Sequence, residues 1–199
     1  NVTRIWKLNP NITDTPLLDM LKDRSYVITY RPFAQLTPLD EKNRPKTFDD
    51  LSKPKTGGFE RWGVLRMDVD NLGRLFREGF GKNASLSRVA SLSFALRLFF
   101  EGWLPKLAEP DLSEYLYLQY AGGDDLFIVG SWDTLPIFAN RVRDSFRKYT
   151  VGNPALTISG GIAIVEKKFP VYQAAIQAGE AEEAAKCYRS SKDAISFMG

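Results

Sequence analysis

Two short carboxylate motifs carry most of the chemistry this sequence can offer. Asp68 and Asp70 close the run Leu65-Arg66-Met67-Asp68-Val69-Asp70, and Asp124 and Asp125 follow two glycines in Tyr120-Ala121-Gly122-Gly123-Asp124-Asp125-Leu126. Taken singly, each aspartate reads as a turn or cap residue, since Asp favours both. Brought together they concentrate about four negative charges, which only cations make tolerable. Clustered carboxylate oxygens suit Mg²⁺ or Mn²⁺, and such ions neutralise a triphosphate and activate an attacking hydroxyl. The expectation is a metal-assisted transfer on nucleoside triphosphates, with Asp68 facing Asp124 and the Val69 backbone carbonyl as a further metal ligand.

Other residues gain meaning from these motifs. Gly122 and Gly123 permit positive φ and leave room for a phosphate or a substrate backbone. Asn71-Leu72-Gly73 follows Asp70 directly and begins a turn into a helix, whose free N–H groups can cradle phosphates. Ser159 stands among glycines in a strand and faces either a nucleotide sugar or the interior. Lys186 and Lys192 by themselves read as ordinary solvated lysines.

The elements that must position these residues follow from periodicity. Residues 62–69 read as a largely buried strand, and 115–120 and 126–129 as β runs joined by the tight Gly-Gly-Asp-Asp hairpin. Apolar residues recur every three or four positions from Leu86 through Leu96, Phe99 and Phe100 to Trp103, predicting one long amphipathic helix over 85–107 that ends near Pro105. A second helix is expected at about 134–149, a glycine-bearing strand at 157–165, a polar, Ala-rich helix at 170–188 and a last strand at 194–197. Glu180, Glu182 and Glu183 read as an exposed face of that helix, and Trp6, Trp62, Trp103 and Trp132 as packing residues. The order β-α-β-β-α-β, with an added helix and strand, gives an α+β, ferredoxin-like palm. Its central strands are expected to be 62–69 and the strand that begins the hairpin. Residues 1–59 hold one convincing strand, 26–30, in an otherwise Pro- and Lys-rich connector, which places the domain itself at 60–199.

Composition narrows the chemistry further. The 199 residues contain no His, so no His-based acid–base catalysis, His-metal centre or Ser-His-Asp triad exists in this chain. A lone Cys187 excludes an internal disulfide and fits a reducing, cytoplasmic setting. The net charge of +3 is too small to decide between polyphosphate, nucleic acid and neither. No apolar run approaches membrane-spanning length, and no signal-peptide pattern opens the chain. A first residue other than Met suggests a piece of something longer.

With these motifs in view, the chain resembles the second palm domain of the large, polymerase-like subunit of type III-A (Csm-type) CRISPR effector complexes. The resemblance rests on residues 65–73, 87–93, 120–129, 156–163 and 178–186. It implies a fold shared with GGDEF and class III adenylyl cyclases, and conversion of ATP into cyclic oligoadenylates with release of pyrophosphate. On this chain it implies Asp68 and Asp124 as catalytic metal ligands, Asp125 in support, and Asn71, Leu72, Gly73 and Lys186 holding the triphosphate, with Lys192 a second candidate. The implied partners are the first palm of the same subunit and the other effector subunits with guide and target RNA, with no membrane. The nuclease domain and zinc-binding insertion of that family need His and several Cys and are not in this sequence, and 190–192 looks short where the family has a longer loop. Two alternatives remain: a GGDEF-type diguanylate cyclase, against which Asp125-Leu126 replaces Glu-Phe, and a non-catalytic scaffold or RNA-binding palm.

Overall fold

β-branched and aromatic residues between 62 and 69 build the strand around which everything else is arranged. β1 (Trp62–Val69) is antiparallel to β3 (Asp125–Ser131) on one side and to β4 (Ile158–Val165) on the other. β2 (Leu116–Gly122) pairs with β3 in the hairpin, and β5 (Ile195–Phe197) lies parallel to β4, which gives the sheet order β2-β3-β1-β4-β5. The computed structural model describes residues 34–79, 81 and 85–197, so the expected strand at 26–30 and Trp6 lie outside the described residues. The split βαββαβ order with an added helix and strand is as expected. One expectation is corrected: β1's hairpin neighbour is β3, the second strand of the hairpin, and β2 is the edge. The split topology requires this, because β1 and β2 run the same way and only β3 can pair antiparallel between them.

Alternation along β1 divides the core. Leu65, Met67 and Val69 face a large cluster under helices α3 (Leu86–Arg97) and α4 (Leu135–Tyr149). Trp62 and Val64 face a smaller one under α5 (Val171–Tyr188). Arg66 and Asp68 share the parity of the second set and therefore sit on the α5 side of the sheet. α1 (Phe48–Leu51) and the short α2 (Leu72–Glu78) complete the five α-helices among the described residues.

The long helix expected over 85–107 is broken into three. The α-helical part stops at Arg97, continues as a wider π turn over Leu98–Trp103 and tightens to 3₁₀ over Leu104–Ala108. Widening the turn lets the adjacent Phe99 and Phe100 both be fully buried, where their rings meet Phe146. Trp103 is thereby turned out, 53% exposed with its Nε1 donating to Ser145 Oγ, and so is not the packing residue expected. Residues 34–59 are more than connector. Leu36 pairs with Leu118, Leu51 is buried, Phe48 stacks on Trp62, and Thr56 is held by Asp133.

Candidate active site at the hairpin tip

β2 ends at Gly122 and β3 begins at Asp125, so the turn has two residues, Gly123 and Asp124. Gly123 has φ 69°, and Asp124 is not among the positive-φ residues; this matches the hairpin turn that takes glycine first. Gly122 is buried, and a Cβ there would press on the Tyr120 hydroxyl, which donates to the Gly122 carbonyl at 3.3 Å. The tight turn holds Asp124 and Asp125 against β1. Asp68 pairs across the ladder with Asp125 and not with Asp124, the residue it was expected to face, because Asp124 sits in the turn; the Val69 amide donates to the Asp124 carbonyl at 3.0 Å.

The electrostatics follow from that crowding. Burial, then the charge on Asp68, pushes the Asp124 carboxyl above its ordinary range. Burial, then Asp124 and Asp68, does the same to Asp125. Asp125 in turn raises Tyr120. The compensating cation is Lys186, whose Nζ donates to Asp68 Oδ2 and to Glu182 Oε1, each at 2.6 Å. Burial works to lower the Lys186 pKa, but the bonds to Asp68 and Glu182 outweigh it, and the amine is held firmly charged. Arg66 Nε stands 3.6 Å from the other Glu182 oxygen.

Glu182 therefore corrects the reading of 180, 182 and 183 as one exposed face. Glu180 and Glu183 are exposed, but Glu182 is 6% exposed and lies between two cations. The signal was present in the sequence as a Glu-Lys pair four apart on one helix. The paired glycines of β4 are explained by backbone approach. A Cβ on Gly161 would overlap α5 at the Ala178 carbonyl and the Glu182 amide, so glycine lets α5 lie close on β4 and brings Lys186 over Asp68.

Asp70 and Ser159 stand apart from this group. Asp70 is 1% exposed, and its Oδ2 accepts from Thr157 Oγ1 at 2.8 Å, Ser159 Oγ at 3.0 Å and the Asp193 amide at 3.2 Å. Ser159 is fully buried with its hydroxyl committed to Asp70, so it braces the end of β1 and presents no atom to a ligand. Arg143 clamps Asp193 with bonds of 2.8 and 2.6 Å, and so holds the same turn from α4. Thr157, Arg143 and Asp193 had no motif to mark them. Asn71 has φ 57° with no side-chain cap bond at the start of α2, and Gly73 is exposed while Leu72 is buried. Lys192 lies in the turn closed by Arg189, with φ 52°.

Two carboxylates and a main-chain oxygen are a hard-oxygen donor set of the kind that binds Mg²⁺ jointly with substrate phosphates. Among the described residues no group of three or more His, Cys, Asp or Glu is placed to hold a metal ion by itself. None of the described helices is long and apolar enough to cross a membrane.

Sheet order, hairpin and paired carboxylates define the chain as an α+β palm domain. The chain belongs to the Cas10/Cmr2 second palm domain family, which it matches over residues 61–196. Among curated relatives it is 38% identical over 177 residues to the Cas10/Csm1 protein (subtype III-A) of Methanocaldococcus jannaschii, a CRISPR system single-strand-specific deoxyribonuclease, covering 81% of this chain and 22% of the relative. The counterpart from Enterococcus italicus is 36% identical over 196 residues, covering 98% of this chain and 24% of the relative. The chain thus spans about a quarter of these proteins' length. Solved structures agree. A Csm1–Csm4 cassette in complex with cA4 superposes with a TM-score of 0.71 at 32% identity, covering 79% of this chain and 24% of that one. The cassette in complex with AMPPNP gives 0.72 at 33%, covering 81% and 24%. Csm1 of T. onnurineus gives 0.72 at 31%, covering 82% and 24%.

Proposed function

We propose that this palm is the cyclase half-site of a type III-A CRISPR large subunit, making cyclic oligoadenylates from ATP in antiviral defence. The observation that carries the reading is the register of Asp68 with Asp125 at the Gly-Gly-Asp-Asp tip, with the Lys186 ammonium already seated on Asp68. Support comes from the related cassettes in complex with AMPPNP, an ATP analogue, and with cA4.

In this reading Asp68 and Asp124, with the Val69 carbonyl, hold Mg²⁺ or Mn²⁺, and Asp125 supports them. When bound, the ions offset phosphate charge and acidify the attacking hydroxyl. The turn at 71–73, exposed at Asn71 and Gly73, and Lys186 receive the triphosphate, Lys192 lies in the turn beyond α5, and Gly122 and Gly123 leave space for the substrate. The 3′ oxygen of one ATP then bonds to the α-phosphorus of the next, the α–β bridging bond breaks, pyrophosphate leaves, and the hydroxyl proton passes to solvent. Repetition and ring closure yield the cyclic product. Positioning and electrostatics supply the catalysis, which needs no histidine.

The first palm of the same subunit completes the composite site, Csm4 and the remaining effector subunits surround it, and target RNA bound to the guide activates it. The palm domain is residues 60–199, with 34–59 packed onto it in the same compact unit, and the setting is cytoplasmic. Calorimetry with ATP and Mn²⁺ on the intact protein tests the proposal. Asp124→Ala/Asp125→Ala abolishes metal-dependent ATP binding and oligoadenylate formation. Unchanged behaviour supports a scaffold, and preference for GTP over ATP supports a diguanylate cyclase.

A further inference from the structure

We infer that Glu182 is a positioning residue that shares the Lys186 ammonium with Asp68, so that Lys186 is the site's own counter-cation until a divalent ion and a triphosphate arrive together. The inference rests on the metal-and-triphosphate reading above and assigns a role to a residue outside the carboxylate motifs. The Lys186 ammonium bonds both carboxylates at 2.6 Å, so neither anion holds it exclusively. The Glu182 side chain is only 8% exposed, and a buried carboxylate without a partner is costly, so it needs a cation in every state of the site. Arg66 meets that need at 3.6 Å from the other oxygen. Its guanidinium has room there because residue 179 is glycine; a Cβ would come within 2.8 Å of Arg66 Nη1.

Two consequences follow. A divalent ion arriving alone must take Asp68 from Lys186, so it binds weakly. A triphosphate arriving with the ion gives the displaced ammonium a new anion, while Glu182 keeps its stem in place and Arg66 keeps Glu182 compensated. Metal and nucleotide therefore favour each other's binding, and the coupling is reciprocal. The i,i+4 spacing on α5 fixes the reach, since both side chains lie on the face packed against β1 and β4.

Electron paramagnetic resonance of free Mn²⁺, titrated with the intact protein with and without AMPPNP, reads this directly. Lys186→Met is expected to bind Mn²⁺ alone about tenfold tighter than wild type, because a partly screened charge pair no longer competes, and to lose the gain produced by AMPPNP. Lys186→Gln, which keeps a donor towards Glu182, gives the same direction should the apolar variant loosen α5. Glu182→Gln is expected to bind Mn²⁺ alone more weakly, since the ammonium then has only Asp68. Arg147→Gln, on the separate helix α4, removes one positive charge without touching Asp68 and should stay within about twofold of wild type at moderate salt. Equal tightening in the Lys186 and Arg147 variants, or no change at Lys186, overturns the inference while leaving the function standing. Absence of Mn²⁺ binding in wild type and Lys186 variants alike, even with AMPPNP, overturns both.

Discussion

Asp68 and Asp125 are direct partners across the β1–β3 ladder, and the residue beside each is tied to its counterpart by the Val69 amide and the Asp124 carbonyl. The backbones that carry three carboxylates are thus fixed by pairing, and their Cα atoms cannot separate without unzipping the strand ends. A surface that repels itself in this way persists only where the rest of the fold outweighs it, here through the buried strands on either side.

The first prediction concerns that repulsion. Asp124 and Asp125 have pKa values raised in the folded chain, by burial first and by neighbouring charge second, whereas in the unfolded chain they revert to the ordinary carboxylate value. A raised folded value means that the stability these groups confer is complete below the unfolded pKa and is lost as pH rises through the folded one. At about pH 7 they therefore weaken the fold. Asp124→Asn should be more stable than wild type there, by less than about 1 kcal/mol because solvent screens a half-exposed site. The gain should shrink as the solution is acidified towards about pH 4. Urea melts at the two pH values check this, and a variant less stable than wild type at neutral pH would contradict it.

Ser159 separates a bracing role from a ligand-binding one. Its hydroxyl is one of three donors to Asp70 Oδ2, and Thr157 and the Asp193 amide remain when it is removed. Ser159→Ala should cost about 1 kcal/mol of stability, the usual net worth of such a bond, and leave ATP affinity unchanged. A variant with normal stability and weakened ATP binding would instead place the hydroxyl on the nucleotide.

Arg143 makes the same brace testable from the other side. Its two bonds to Asp193 hold the turn whose amide reaches Asp70 and whose next residues enter β5. Arg143→Gln should speed amide hydrogen exchange in residues 193–197 while leaving β1 and β3 protected. Uniform exchange across the whole sheet would mean that Arg143 supports global stability and not this turn.

What the sequence disclosed and what it hid have different physical origins. Asp68, Asp124 and the hairpin were legible because turn chemistry and carboxylate clustering are local, and α5 because an Ala-rich run favours helix whatever it packs against. The π turn at 98–103 was hidden because a helical apolar stripe does not say whether two adjacent phenylalanines will both be buried. The spacing of Glu182 from Lys186 was legible as an i,i+4 pair, but its burial was not, because that depends on Arg66, distant in sequence and adjacent only once β1 lies under α5. The hairpin's pairing partner for β1 was missed because strand order is a property of the whole sheet, and the split topology, not the motif, decides it.

The packing of α5 on β4 leaves no room for a side chain at residue 161. Ala174, Ala178, Ala181 and Ala185 form the buried stripe of α5, and small residues there let the helix descend onto β4. At Gly161 the α5 backbone lies so close that a methyl group must push against the Ala178 carbonyl and the Glu182 amide, neither of which can rotate away. Gly161→Ala should destabilise the domain by about 1–3 kcal/mol, as overpacking of a close-packed core does. Because relief requires α5 to rise off the sheet, Lys186 and Glu182 should rise with it, and ATP affinity should fall although residue 161 touches no ligand. Ser85→Ala provides the comparison, since loss of that N-cap also destabilises the chain, by about 1 kcal/mol, on a helix that does not carry the site. If the two variants lose ATP affinity equally, the effect comes from general destabilisation; if only Gly161→Ala does, the height of α5 above β4 sets the geometry at Asp68.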